Sequence, residues 1–145
     1  MYVFDTNIFV AGLRSRLGAS FLLLQAIGEG RLSGAVSYPL FLEYEDVLKR
    51  EQNLSNFWAS ADEVDVVLNV LAARLTPVPI YFRWRPQLSD PDDELVLECA
   101  INAGAEAIVT FNQRDFLPQA TQFQLDILKP GEVVRKLNLR RSDGA

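Results

Sequence analysis

Short apolar runs alternate with segments of helical periodicity along this chain. That alternation is the sequence mark of βαβ units closing a parallel sheet. A strand is predicted over 2–5. Apolar residues then recur at helical spacing over 7–13 and 19–27, with Gly28 and Gly30 placed to stop the second stretch. A second strand is read over 32–36. Ser37-Tyr38-Pro39 opens a helix running to about residue 50, because Ser caps well and Pro suits a first turn. Ser60 to Glu63 is a capping box for a helix that reaches Leu75 before Pro77 and Pro79. Residues 77–82 form a weak, Pro-interrupted edge strand. Asp90-Pro91 opens another helix, stopped at Gly104. A central strand over 107–110, a polar loop over 111–124, a last strand over 125–128 and a helix over 130–137 complete the reading. The fold class is α/β, in one domain over 1–138 with a flexible tail over 139–145.

Composition narrows the chemistry. The chain has 145 residues, 49% of them apolar, enough for a single core. It has no His and one Cys, Cys99. A Ser-His-Asp triad, a Cys-His pair and a Cys/His zinc site are all excluded. A lone thiol fits a reducing compartment. With no basic leader and no run of 18 apolar residues, a cytoplasmic protein with no membrane partner is expected. Nineteen acids against fourteen bases give a net charge of −5. This argues against a broad basic footprint for nucleic acid, and phosphate binding would need metal ions or local Arg clusters.

Ligands of open parallel sheets sit at the carboxyl ends of strands, which directs attention to Asp5-Thr6-Asn7, Glu43, Asp90 to Asp93, and Thr110 to Asp115. Glu45 and Asp46 have basic partners four residues on, Lys49 and Arg50, and read as surface pairs. Glu43 has none and shares the apolar stripe of Leu40 and Val47. An inward carboxylate is costly unless a cation meets it. Asp93 lies on the stripe of Val96 and Ala100, whereas Asp92 and Glu94 are read as pointing elsewhere. Asp90 is ordinary helix-start grammar, and Asp5 reads either as a cap for the next helix or as a ligand. Asn112 and Asp115 fall where Asx turns are expected in any case. Carboxylates forced together repel, and each raises the pKa of the next unless a hard divalent cation neutralises them. Oxygen-only ligation points to Mg²⁺ or Mn²⁺, and such a site suits phosphodiester hydrolysis.

The ordered series Phe4-Asp5-Thr6-Asn7, Leu42-Glu43-Tyr44-Glu45-Asp46-Val47-Leu48, Asp90-Pro91-Asp92-Asp93 through Ala100, Ile108-Val109-Thr110-Phe111-Asn112 and Arg114-Asp115-Phe116 resembles the PIN domain family, most nearly its VapC-like toxin branch. The resemblance runs from Tyr2 to about Leu137. It implies an α/β/α sandwich on a parallel sheet of four to five strands and a Mg²⁺- or Mn²⁺-dependent ribonuclease. It further implies that Asp5, Glu43 and Asp93 are the catalytic acids. Asn7 and Thr110 would support the first and fourth positions, and Asp90 would be an extra acid at the rim. Many PIN domains carry Asp two residues after the Thr, where this chain has Asn112, so Asp115 would complete the metal ligands. A cognate antitoxin and a homodimer are implied in the same way.

For an RNA substrate the candidate contacts are Arg14, Arg83 and Arg85 on either side of Trp84, and Arg114; Arg16 also follows the first acid. Arg135, Lys136, Arg140 and Arg141 read as surface and tail. The competing reading is a catalytically weak or inactive PIN-like module that binds RNA or a partner protein, which Asn112 favours. A receiver-type phosphoryl-transfer domain ranks last, because no Lys occurs between Lys49 and Lys129.

Overall fold

Tyr2, Val3 and Phe4 are buried on both faces of the chain, as a strand in the middle of a parallel sheet must be. The computed structural model describes residues 1–82 and 88–141. Its elements are β1 (Tyr2–Phe4), α1 (Thr6–Arg14), α2 (Ala19–Gly28), β2 (Ala35–Val36), α3 (Tyr38–Leu48), α4 (Glu51–Leu54), α5 (Ala61–Arg74), β3 (Thr76–Pro77), α6 (Pro91–Ala103), β4 (Ala107–Val109), α7 (Gln119–Gln122), β5 (Asp126–Leu128) and α8 (Pro130–Leu137). A 3₁₀ turn occupies Gln113–Asp115.

β1, β4 and β5 form one parallel ladder, and β2 and β3 a second. The parallel bridge between Tyr2 and Gly34, with the Tyr2 amide donating to the Ser33 carbonyl at 3.2 Å, lays the second ladder beside β1. The order across the molecule is therefore β3, β2, β1, β4, β5. Gly34 is required where the ladders meet: a Cβ there would stand 2.6 Å from Phe4 Cε2 and 2.8 Å from Leu75 Cδ2. α6 lies against β1, β2 and β4, and α1, α2, α3, α5 and α8 pack among themselves. The result is a helix-rich α/β arrangement in α/β/α layers, the fold class expected from the sequence. No single described helix is long and apolar enough to cross a membrane.

Local rules account for several boundaries. Ser60 Oγ takes the Glu63 amide at 3.2 Å while Glu63 takes the Ser60 amide at 3.1 Å, the capping box read from the sequence. Gly104, at φ 60°, ends α6. The helix predicted to reach residue 50 instead stops at Leu48, where the Asn53 side chain donates to the freed Val47 carbonyl at 2.7 Å and a new turn, α4, begins. The edge strand predicted over 77–82 shrinks to Thr76–Pro77. Lys49 pairs with Asp65 of α5 at 2.8 Å, whereas Arg50 does pair with Asp46 at 2.7 Å. Leu139 is still buried on the core, and the rest of the predicted tail beyond Arg141 lies outside the described residues.

Candidate active site

β1 and β4 end side by side, so the residues that follow them, Asp5 and Thr110, face each other. The Asp5 amide donates to the Val109 carbonyl at 2.9 Å, carrying the ladder one step past β1. Thr110 is fully buried. Its hydroxyl donates to Asp5 Oδ2 at 2.7 Å and accepts from the Asn112 amide at 3.0 Å and from Asn7 Nδ2 at 3.4 Å. One donor and two acceptors exhaust a hydroxyl, so Thr110 fixes all three neighbours at once. Asp5 stands at the capping position of α1, and its carboxyl is held by the Thr110 hydroxyl. Burial raises the pKa of its carboxyl and Asp115 adds to the rise; the Thr110 hydroxyl and the nearby amides of Thr6 and Asn7 pull the other way. The Asn7 amide oxygen is buried without a hydrogen-bond partner, an acceptor aligned beside Asp5 with nothing yet to accept from.

Asp93 stands in the first turn of α6, half-buried, while its neighbour Asp92 is exposed. Its carboxyl is pushed up to about 7, first by burial and then by the charges of Asp5, Asp90, Asp115 and Asp92. Asp90 caps α6 by accepting the Asp92 amide at 2.9 Å, so the helix-start reading of that acid holds. It also shares with Asp93, Asp115 and Arg114 a cleft of about 360 Å³. Glu94, read as pointing away from the core, is in fact buried and takes the Leu88 amide at 2.6 Å, fastening the segment before α6 to the helix itself.

Glu43 reaches the site from α3. Ser37 Oγ caps that helix through the Leu40 amide at 3.2 Å, and Leu40, Tyr44 and Leu48 are its buried side. The Tyr44 hydroxyl donates to the Phe4 carbonyl, the peptide just before Asp5. Sequence reasoning passed over Tyr44, although a phenol on a buried stripe signals that its hydroxyl needs a buried acceptor. Glu43 itself is half-buried. Its pKa is raised by burial, then by Asp92, Asp46 and Asp90, with Arg50 opposing. Its strongest charged neighbours are therefore Asp92 of α6 and Asp46 of its own helix, with Asp90 weaker, and Asp5 is not among them.

The fold thus gathers Asp5, Asp93 and Asp115 into mutual repulsion and sets Glu43 towards Asp92 and Asp90. Among the described residues no three acids stand close enough, as placed, to share one ion. The expectation that Asp5, Glu43 and Asp93 meet in one small pocket is not seen in that form. The chemistry of the group still suits a hard cation: the donors are all oxygens, the acids repel, and Asn7 Oδ1 is an orphan among them. Burial lifts the Cys99 thiol to about 11, which removes it as a nucleophile.

Of the basic candidates, Arg114 lines the acidic cleft and Arg14 is exposed at the end of α1. Arg83 and Arg85, with Trp84, lie outside the described residues. The described pairing of Arg with an aromatic ring is elsewhere: the Arg16 guanidinium sits 4.2 Å over the ring of Trp58. Trp58 is anchored through Nε1 to the Gly12 carbonyl at 2.9 Å. The two residues are far apart in sequence, and no local pattern links them.

The family model described as PIN domain matches residues 1–114. The match takes in Asp5, Asn7, Glu43, Asp90, Asp93, Thr110, Asn112 and Arg114 and stops one residue short of Asp115. No curated protein and no solved structure matches the chain.

Proposed function

Because the chain belongs to the PIN domain family, whose members are generally nucleases that use divalent metals, we propose that it is a Mg²⁺- or Mn²⁺-dependent endoribonuclease. The observation that carries this reading is the acid cluster at the ends of β1 and β4, with Asp5 pinned on Thr110 and repelling Asp93. Asp5, Asp93 and Asp115, with Glu43 from the side, are the residues that would hold the cation. When bound, it supplies the positive charge that allows these acids to ionise together and that polarises a phosphodiester. Thr110 keeps Asp5 in one orientation. Asn7 Oδ1 offers a fixed acceptor beside it, able to align a water for attack. Arg114, on the rim of the acidic cleft, neutralises and orients the phosphate.

Asp5→Asn is expected to abolish Mn²⁺-dependent cleavage of single-stranded RNA without lowering Tm, since it removes one of several crowded charges. Cleavage at the wild-type rate would overturn the assignment. The finer reading is a cytoplasmic toxin held by a cognate antitoxin, in homodimers, supported by the resemblance of the motif series. Growth arrest on expression, relieved by Asp5→Asn, tests it. A second reading, a PIN-like module that binds RNA without cutting it, draws on Asn112 and on the finding that, among the described residues, no three acids as placed stand close enough to share one ion. RNA binding with neither turnover nor stabilisation by Mn²⁺ would select it.

A further inference from the structure

On the other side of the loop after β4, two helices begin at one cleft. It has a volume of about 390 Å³, and its lining includes Ala11, Ser20, Phe111, Lys129, Gly131 and Arg135. α2 opens there behind Gly18, with no side-chain cap and no acid in its first turn. α8 opens there behind Lys129, with Gly131 in its first turn. The uncapped first-turn amides and the positive dipole end of α2 thus face this space, an arrangement that favours an anion, whereas α8 is already capped by its own Glu132.

A second observation points the same way. Ser20 is 4% exposed, and its hydroxyl is buried with no hydrogen-bond partner. A buried hydroxyl without a partner costs free energy that a ligand oxygen would return. Lys129 and Arg135 add two exposed cations. Glu132 opposes them with one charge, but its Oε1 is engaged by the Lys129 amide at 3.0 Å and by Gln113 Nε2 at 3.5 Å. Those bonds close the first turn of α8 and tie the 3₁₀ turn to it.

The position relative to the acids decides the ligand. Ala11 follows Asn7 by four residues on α1, so the cleft begins just over one helical turn, about 6 Å, along α1 from the amide beside Asp5. Phe111 is the residue between Thr110 and Asn112, and it is 46% exposed. A free aromatic face next to cations and orphan amides matches one nucleotide: the base on the ring, the phosphate on the amides.

We propose that this cleft binds a nucleotide of single-stranded RNA flanking the cleaved bond, with its phosphate at the N-terminus of α2 between Ser20, Lys129 and Arg135 and its base stacked on Phe111. The assignment rests on the ribonuclease reading above. The test uses the full chain and a fluorescein-labelled single-stranded RNA, with anisotropy measured in EDTA at several KCl concentrations. Lys129→Gln combined with Arg135→Gln is expected to weaken binding about tenfold and to lower the salt slope by about 0.7, the loss of one phosphate contact on a single strand. Phe111→Ala is expected to cost about tenfold, and Ser20→Ala about threefold with Tm unchanged or raised. Lys136→Gln combined with Arg140→Gln removes the same charge outside the cleft and is expected to cost less than threefold. Equal losses in the two pairs, no loss in the cleft pair, or no RNA binding by the wild-type chain would overturn the proposal. Failure of the wild-type protein to cleave RNA with Mn²⁺ refutes the ribonuclease reading alone, because the cleft is judged from binding in EDTA.

Discussion

Asp93→Asn separates the acid cluster from an ordinary helix start. The Asp93 carboxyl is pushed from an ordinary 3.8 to about 7. At about 1.36 kcal/mol per unit, the full shift bounds the effect near 4 kcal/mol. Asp93 is only half-buried, and screening by water reduces that to the order of 1–2 kcal/mol. A carboxyl whose folded pKa lies above its unfolded one holds its proton more tightly when folded. Unfolding then releases that proton, and stability falls as pH climbs from about 4 to about 7. Asn keeps the shape of the neutral acid without the charge. The variant and the wild type should therefore differ little near pH 4, while at pH 8 in EDTA the variant should melt about 3–6 °C higher. Mn²⁺ should shrink or reverse that gap, because a cation bound only to the folded state stabilises the protein that keeps all its ligands. Melting curves from pH 4 to pH 8, with EDTA and then with Mn²⁺, measure both. A gap independent of pH, or equal stabilisation of the two proteins by Mn²⁺, would refute the reasoning.

Gly34→Ala should lower stability by about 1–3 kcal/mol in urea titration, because the added methyl meets Phe4 and Leu75 where the two ladders join. Thr110→Val keeps the shape but removes the hydroxyl from Asp5, Asn7 and Asn112. The Asp5 pKa should rise further, moving the acid limb of the pH–rate profile upward and cutting kcat at least about tenfold at pH 6, while similar shape keeps the change in Tm to a few degrees. Asn112→Asp adds an acid at the family's fourth position. It should lower Tm in EDTA, raise Mn²⁺ affinity as read by calorimetry, and leave α6 and its cap unaffected.

What could be read from the residues alone was whatever depends on near neighbours. The capping box at Ser60, the cap and Pro at Asp90-Pro91, and the stop at Gly104 are each complete within a few residues, and all three stand where they were expected. Strand β1 was visible because both of its faces are apolar. The convergence of Asp5, Asn7, Thr110 and Asn112 followed from a general property of parallel sheets and needed no contact to be known. Contacts between distant segments were not legible. Lys49 leaves Glu45 for Asp65 because α5 packs beside α3. Glu94 turns inward because the segment before its helix needs an acceptor for the Leu88 amide. The loop predicted over 111–124 winds into a 3₁₀ turn and α7, held by Gln113 donating to the Ile127 carbonyl at 2.9 Å. Glu43 was picked out by its stripe, yet the repulsion it meets from Asp92 and Asp90 depends on how α3 and α6 are set side by side.

The bond from Tyr44 to the Phe4 carbonyl makes a lever of α3. Its fulcrum is the peptide that precedes Asp5, and Glu43 rides one residue from the clasp. A displacement of Glu43 would therefore be felt, through the phenol, at the strand end that presents Asp5.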